Sequence, residues 1–154
     1  MSQYPLWNQL NTLKEAQWVD LTHTFDPNIP RFSEFEKGEV STLFNIKDHG
    51  FYVQRWSIVT QYGTHIDAPI HFVENRRYLE ELDLKELVLP LIVLDYSKEA
   101  AQNSDFIVSR KHLEDWEQQH GRIEADTFVA LRTDWSKRWP DIEKFEKKNV
   151  VLNP

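Results

Sequence analysis

Apolar positions along the chain follow two periods. In PLWNQLNTLKEAQ, Leu6, Leu10 and Leu13 recur at helical spacing and predict a helix over residues 5–17. WVDLTHTF (18–25) predicts a strand stopped by DPNIP, and VSTLFNI (40–46) and FYVQRWSIVT (51–60) predict two more. The KDHG between the latter two carries the glycine that a tight hairpin wants. The charged stretch VENRRYLEELDLKEL predicts a loop with a short helix. PLIVLDYS (90–97) is a continuous apolar run, which predicts a buried central strand. SRKHLEDWEQQHG predicts a helix with Ser109 as its cap, Val108 packing on Leu113 as a staple, and Gly121 ending it. TFVALRTDW (127–135) predicts another strand. The tail KKNVVLNP passes from a charged turn into an apolar run, where chain ends are usually polar. Val150, Val151 and Leu152 therefore predict either a last strand that closes a sheet or a longer polypeptide.

The 154 residues suffice for one domain with a core, and no repeat or linker divides them, so residues 1–154 read as a single unit. Nine Phe and six Trp imply large buried areas in a core, a pocket or an interface, and with the apolar tail they lead us to expect self-association. A net charge of -7 gives no counterion-release affinity for phosphate backbones, which excludes nucleic acid as an expected partner. With no cysteine, a bound metal would use His, Asp, Glu or water. The longest apolar run, LVLPLIVL (87–94), is far short of the roughly 20 residues of a membrane span. The N-terminus lacks a basic stretch followed by an apolar block, so the expectation is a soluble cytoplasmic protein.

The chemistry concentrates in QYGTHIDAPIHF, residues 61–72, which holds two of the six histidines. In an extended segment His65, Asp67 and His71 point to one face. His65 and Asp67 would start roughly 6–7 Å apart, a gap that an imidazole and a carboxylate can close onto one ion. His71 lies about 20 Å from His65 along a straight strand and joins them only if the chain bends. Pro69 supplies a bend and forces Ala68 to be extended, while Gly63 permits a tight approach before His65. The pattern fits a metal or acid/base site, or else a polar strand corner. His23, His49, His112 and His120 read as core or surface residues.

QYGTHIDAPIHF resembles the signature of the cyclase-type metal-dependent hydrolases, a family that includes bacterial kynurenine formamidases and isatin hydrolases. The resemblance covers nearly the whole chain. VDLTHTFDPNIPRF is similar to the family's N-terminal segment, and LVLPLIVLD, SRKHLEDWEQQHG and ALRTDWSKRW follow in the family's order and spacing. It implies an α/β fold, a swivelling β/β/α domain with a mixed central sheet and flanking helices, assembled as a homodimer or larger. It implies bound zinc or manganese and hydrolysis of C–N bonds in formamides or cyclic amides. His65 and Asp67 match the metal ligands, His71 the catalytic histidine, and Phe32 an aromatic that contacts substrate.

Two departures from the family pattern stand out. Gln61 occupies the place of a further metal-binding histidine of the formamidases, and a glutamine carbonyl is a weaker, neutral ligand. Family members also continue for about another third, with a further His and Glu at the metal, so the sequence reads as the N-terminal part of a longer enzyme that is inactive alone. Three readings follow: a metal-dependent amide hydrolase or a fragment of one, a non-catalytic binding protein with the same fold, and a structural domain of a larger assembly.

Overall fold

In a computed structural model the described residues are 4–139 and 141–146. The predicted apolar tail, Val150–Leu152, lies outside them. The first helix, α1, spans Pro5–Glu15, with Pro5 in the first turn, where its missing N–H costs nothing. The predicted helix ran two residues further. It stops because the chain folds back, with Trp18 Nε1 donating to the Leu13 carbonyl at 2.9 Å. Leu6, Leu10 and Leu13 share a face as expected, yet all three are exposed.

Residues 18–25 do not form the predicted strand. They run past the end of α1 with no ladder partner among the described residues, and a strand exists only when its backbone groups are paired across. Its backbone makes one local and one distant bond: Thr22 N–H to Asp20 Oδ1 at 2.9 Å, and His23 N–H to Thr64 Oγ1 at 3.1 Å. The second ties it to the histidine motif.

The predicted hairpin forms as β1 (Glu39–Phe44) antiparallel to β2 (Val53–Ser57), with a register irregularity between Thr42 and Phe44. The connection is longer than a tight turn. Asn45 caps a single helical turn, α2 (Ile46–His49), by accepting the Asp48 N–H at 2.9 Å. Gly50 then leaves in the left-handed region at φ 79°, as the αL end of a helix requires.

The second sheet pairs β3 (Leu91–Asp95) with β4 (Phe128–Arg132) in parallel, from Leu91↔Phe128 to Asp95↔Arg132. Parallel strands need a long crossover. Here it contains α3 (Ser97–Gln102), which the sequence reading missed, and α4 (Arg110–His120). β3 departs from the two-sided burial expected of it: Leu94 is 2% exposed and Leu91 56%. One face is therefore covered and the other stays open; Ala100 of α3 and Val108 are also buried. α4 starts at Ser109 and ends at Gly121 as predicted, but His112 takes the part that Glu plays in a usual capping box. The Ser109 N–H donates to His112 Nδ1 at 2.9 Å. β4 ends earlier than predicted because Asp134 turns left-handed at φ 58°. Its carboxylate is gripped by Arg132 Nε at 2.9 Å and Lys137 Nζ at 2.6 Å, which lower its pKa, and the chain passes into a 3₁₀ turn at Trp135–Arg138 and then α5 (Ile142–Glu146).

Among the described residues the architecture is thus mixed α/β, with two small sheets and flanking helices. No helix among the described residues is long and apolar enough to cross a membrane. The accessible surface is 13261 Å², against about 8,200 Å² for a compact monomer of this mass. Many large apolar side chains are accordingly exposed among the described residues.

Candidate active site

The histidine motif starts from a buried anchor, Tyr62, which is 3% exposed. Its hydroxyl donates to the Pro27 carbonyl at 2.7 Å and accepts the Gly38 N–H at 3.3 Å. Its ring meets Phe25 edge-on at 5.9 Å. One side chain so joins three segments distant in sequence. Gly63 follows at φ 71°, and a Cβ there would meet Phe25 at 3.1 Å and Ile29 at 3.2 Å. Glycine is required on both counts, of conformation and of space. Tyr62→Phe is expected to cost about 1–2 kcal/mol for the two lost hydrogen bonds, and Tyr62→Ala about 3–5 kcal/mol once the ring is gone as well. Urea unfolding of both variants measures this; a Tyr62→Phe midpoint equal to the parent's would show that the hydroxyl anchors nothing.

The bend at Gly63 aims its carbonyl at His65, whose Nδ1 lies 2.8 Å away. A carbonyl can only accept, so Nδ1 carries the proton and Nε2 presents a lone pair. That Nε2 is 3.4 Å from Asp67 Oδ1. Two donors that each sit about 2.1 Å from one tetrahedral ion are separated by about 3.4 Å, so His65 and Asp67 fit a shared cation. Residues 64–68 are bends and extended backbone rather than a regular strand.

Pro69 then turns the chain. Ala68 is extended (ψ 155°), and Pro69–His71 form one 3₁₀ turn, with the His71 N–H on the Ala68 carbonyl at 2.9 Å. The turn returns His71 Nε2 to 3.9 Å from the same Asp67 Oδ1. This is a wider gap than two donors on one tetrahedral ion require, and among the described residues no group of three His, Asp or Glu side chains is arranged to hold a metal. The turn is backed from behind: the Ile70 N–H donates to the Arg77 carbonyl at 3.1 Å, and Arg77 makes two 2.8 Å bonds to Glu86. Those bonds from Arg77, with the Asp83 N–H, hold the Glu86 carboxyl down at about 2.

His65, Asp67 and His71 open into a cleft of about 970 Å³, and Phe32 lines it too. All four residues singled out in the sequence therefore share one cavity. The two histidines and Asp67 are about one-third exposed at their side chains. Phe32, 61% exposed, meets Phe35 edge-on at 5.3 Å. Trp139 and Phe145 form another wall, 5.1 Å apart edge-to-face. Gln61 also lines the cleft, its carbonyl oxygen accepting the Thr60 hydroxyl at 2.6 Å. The sequence reading gave no role to Tyr62, Arg31, Phe145 or Glu146. Trp139 belonged to a recognised segment without being assigned. The available signal for it was an aromatic shortly after a strand that ends at Arg132.

The remaining histidines have local roles. His23 stacks on Trp139 at 4.1 Å, which docks the N-terminal segment on the cleft wall. His49 accepts the Asn45 N–H, His112 caps α4, and His120 stacks on Trp116 at 4.5 Å.

The sequence pattern of the family described as "Putative cyclase" matches residues 19–154. An isatin hydrolase of Roseibium aggregatum is 33% identical over 144 residues, an overlap of 85% of this chain and 55% of that protein. A kynurenine formamidase of Geobacillus thermodenitrificans is 31% identical over 81 residues, 52% of this chain and 39% of that protein. Among solved structures, an isatin hydrolase bound to the product analogue thioisatinate superposes with a TM-score of 0.85 at 28% identity, over all of this chain and 67% of that one. The chain thus spans about half or less of the length of the first two relatives. With its fold, its histidine motif and a family match over most of its length in agreement, the chain belongs to the cyclase family.

Proposed function

We propose that this chain carries the catalytic half-site of a metal-dependent hydrolase acting on C–N bonds of formamides or cyclic amides. The observation that carries the reading is the 3.4 Å pair of His65 Nε2 and Asp67 Oδ1 with His71 Nε2 close by, all at one end of an aromatic cleft. His65 and Asp67 would hold zinc or manganese. When bound, such an ion supplies Lewis-acid polarisation and lowers the pKa of water toward 7. His65 is preset for this by the Gly63 carbonyl, which fixes its tautomer. His71, outside the tetrahedral spacing, takes a proton from the attacking water and returns one to the leaving nitrogen, work suited to imidazole near neutral pH. Phe32 and Trp139 present flat apolar faces to a planar substrate and keep bulk water from the reacting carbonyl. The isatin hydrolase and kynurenine formamidase relatives support amide hydrolysis as the reaction class. The exposed leucine face of α1 supports association of copies.

A second reading, a binding domain without turnover, is favoured by the absence of a three-donor cluster among the described residues. Calorimetric titration with zinc and manganese, followed by single-turnover assays on aryl formamides and cyclic imides with protein in excess, separates the two. Saturable binding of one ion is expected of this chain, and C–N cleavage above the metal-only blank is expected of the intact enzyme. Binding without cleavage selects the second reading, and no binding at millimolar ion rejects the metal site.

A further inference from the structure

The cleft contains a cation that the hydrolytic chemistry leaves unused. Arg31 is half-buried, and among the described residues it is the one Lys or Arg lining this cavity. Its Nε donates to the Phe35 carbonyl at 3.1 Å, and its main-chain N–H meets Glu146 Oε1 at 3.3 Å. Those bonds fix the inner nitrogen and the backbone beneath it. Neither Nη group has a partner among the described residues. Arg77, Arg110 and Arg132, by contrast, each have a carboxylate oxygen within 3.1 Å. Glu146 also lines the cleft, but its recorded bond is to the Arg31 backbone rather than to the guanidinium.

A guanidinium held at Nε and open at both Nη positions is a preset fork for a carboxylate, which it binds through two parallel charge-assisted bonds. Aromatic walls lower the local dielectric and strengthen those bonds. We infer that Arg31 is a specificity-determining residue that takes a carboxylate carried by the substrate. The preferred substrate class becomes an aromatic amide bearing a carboxylate: the ring lies between the aromatic walls, the anion sits on Arg31, and the amide faces His65, Asp67 and His71. The amide end of this assignment rests on the hydrolytic reading above; the anion end does not.

The test is accordingly a binding measurement with probes that have no bond this site would cleave. Benzoate and its neutral isostere benzamide are titrated into the 154-residue chain, followed by tryptophan fluorescence, with chelator present so that no metal can take the carboxylate. Benzoate is expected to bind at least 10-fold tighter than benzamide. Arg31→Gln should weaken benzoate about 10- to 100-fold and benzamide less than 3-fold. Arg31→Lys, which keeps the charge without the fork, should retain part of the preference. Arg110→Gln, at a solvent-exposed pair, should change neither affinity. Circular dichroism checks that each variant is folded, and Arg31→Lys supplies the charge comparison if Arg31→Gln is not. Equal affinity for the two probes, no binding of either, or parallel weakening of both by Arg31→Gln overturns the assignment. Each of these results leaves amide hydrolysis itself untouched, and a failure to hydrolyse amides leaves the benzoate result standing.

Discussion

His65→Ala is expected to abolish measurable zinc or manganese binding, and Asp67→Asn to weaken it strongly. Removing even an outer partner of a ligand typically costs about 10- to 100-fold in metal affinity, and His65 would be a ligand itself, so a loss of at least 100-fold is expected. The geometry predicts more than a simple deletion. His65 Nε2 is available because Nδ1 is occupied by the Gly63 carbonyl. Gly63 can offer that carbonyl because its φ is 71° and it carries no Cβ to crowd Phe25 and Ile29. Gly63→Ala should therefore weaken the ion although residue 63 never touches it, and His112→Ala, whose imidazole caps α4 and packs against Tyr96 and Phe106, should not. Calorimetry on the four variants measures this. Unchanged ion affinity in His65→Ala would move the binding site away from the motif altogether.

What the sequence revealed about the site was local. Gly63, His65, Asp67, Pro69 and His71 lie within nine residues, and their backbone preferences could be read there, although Gly63 is also packed against the distant Phe25 and Ile29. Proline restricts Ala68, the 3₁₀ turn follows, and His71 returns toward Asp67. Such features depend on short-range sterics, which one sequence contains in full. α4 was legible for the same reason, since its Ser109 start and Gly121 stop are local signals.

The missed features depend on contacts between distant segments. Tyr62 reads as one more aromatic until the fold brings Pro27 and Gly38 to its hydroxyl. Arg31 reads as a surface charge until Phe35 and Glu146 fix it in the cleft. Residues 18–25 have strand-forming side chains, but a strand is completed by its neighbour, and none is present among the described residues. β3 shows the opposite error. A continuous apolar run implies two covered faces, whereas here only the Leu94 side is covered.

In the intact enzyme, His71→Ala should lower kcat by roughly 10²- to 10⁴-fold while ion affinity stays within a few-fold of the parent. His71 differs from His65 in position, not in chemistry. Its Nε2 stands 3.9 Å from Asp67 Oδ1, against 3.4 Å for His65, and it arrives from the far side of the Pro69 corner on a turn of its own. On the proposed reading, His71 would stand outside the pair of ligands formed by His65 and Asp67 and would be free to exchange a proton with the attacking water. A proton shuttle acts on the transition state and leaves the assembled site intact, whereas a ligand builds the site. Ion content and kcat should therefore separate in His71→Ala and fall together in His65→Ala. His71→Gln adds a check, because it keeps a polar side chain but cannot cycle a proton near neutral pH; it should be as slow as alanine. Parallel titrations and rate measurements on the three variants decide the matter. If His71→Ala strips the ion as thoroughly as His65→Ala, His71 is a third ligand and the 3.9 Å gap closes on binding. If ion and rate both survive, the proton passes through another group.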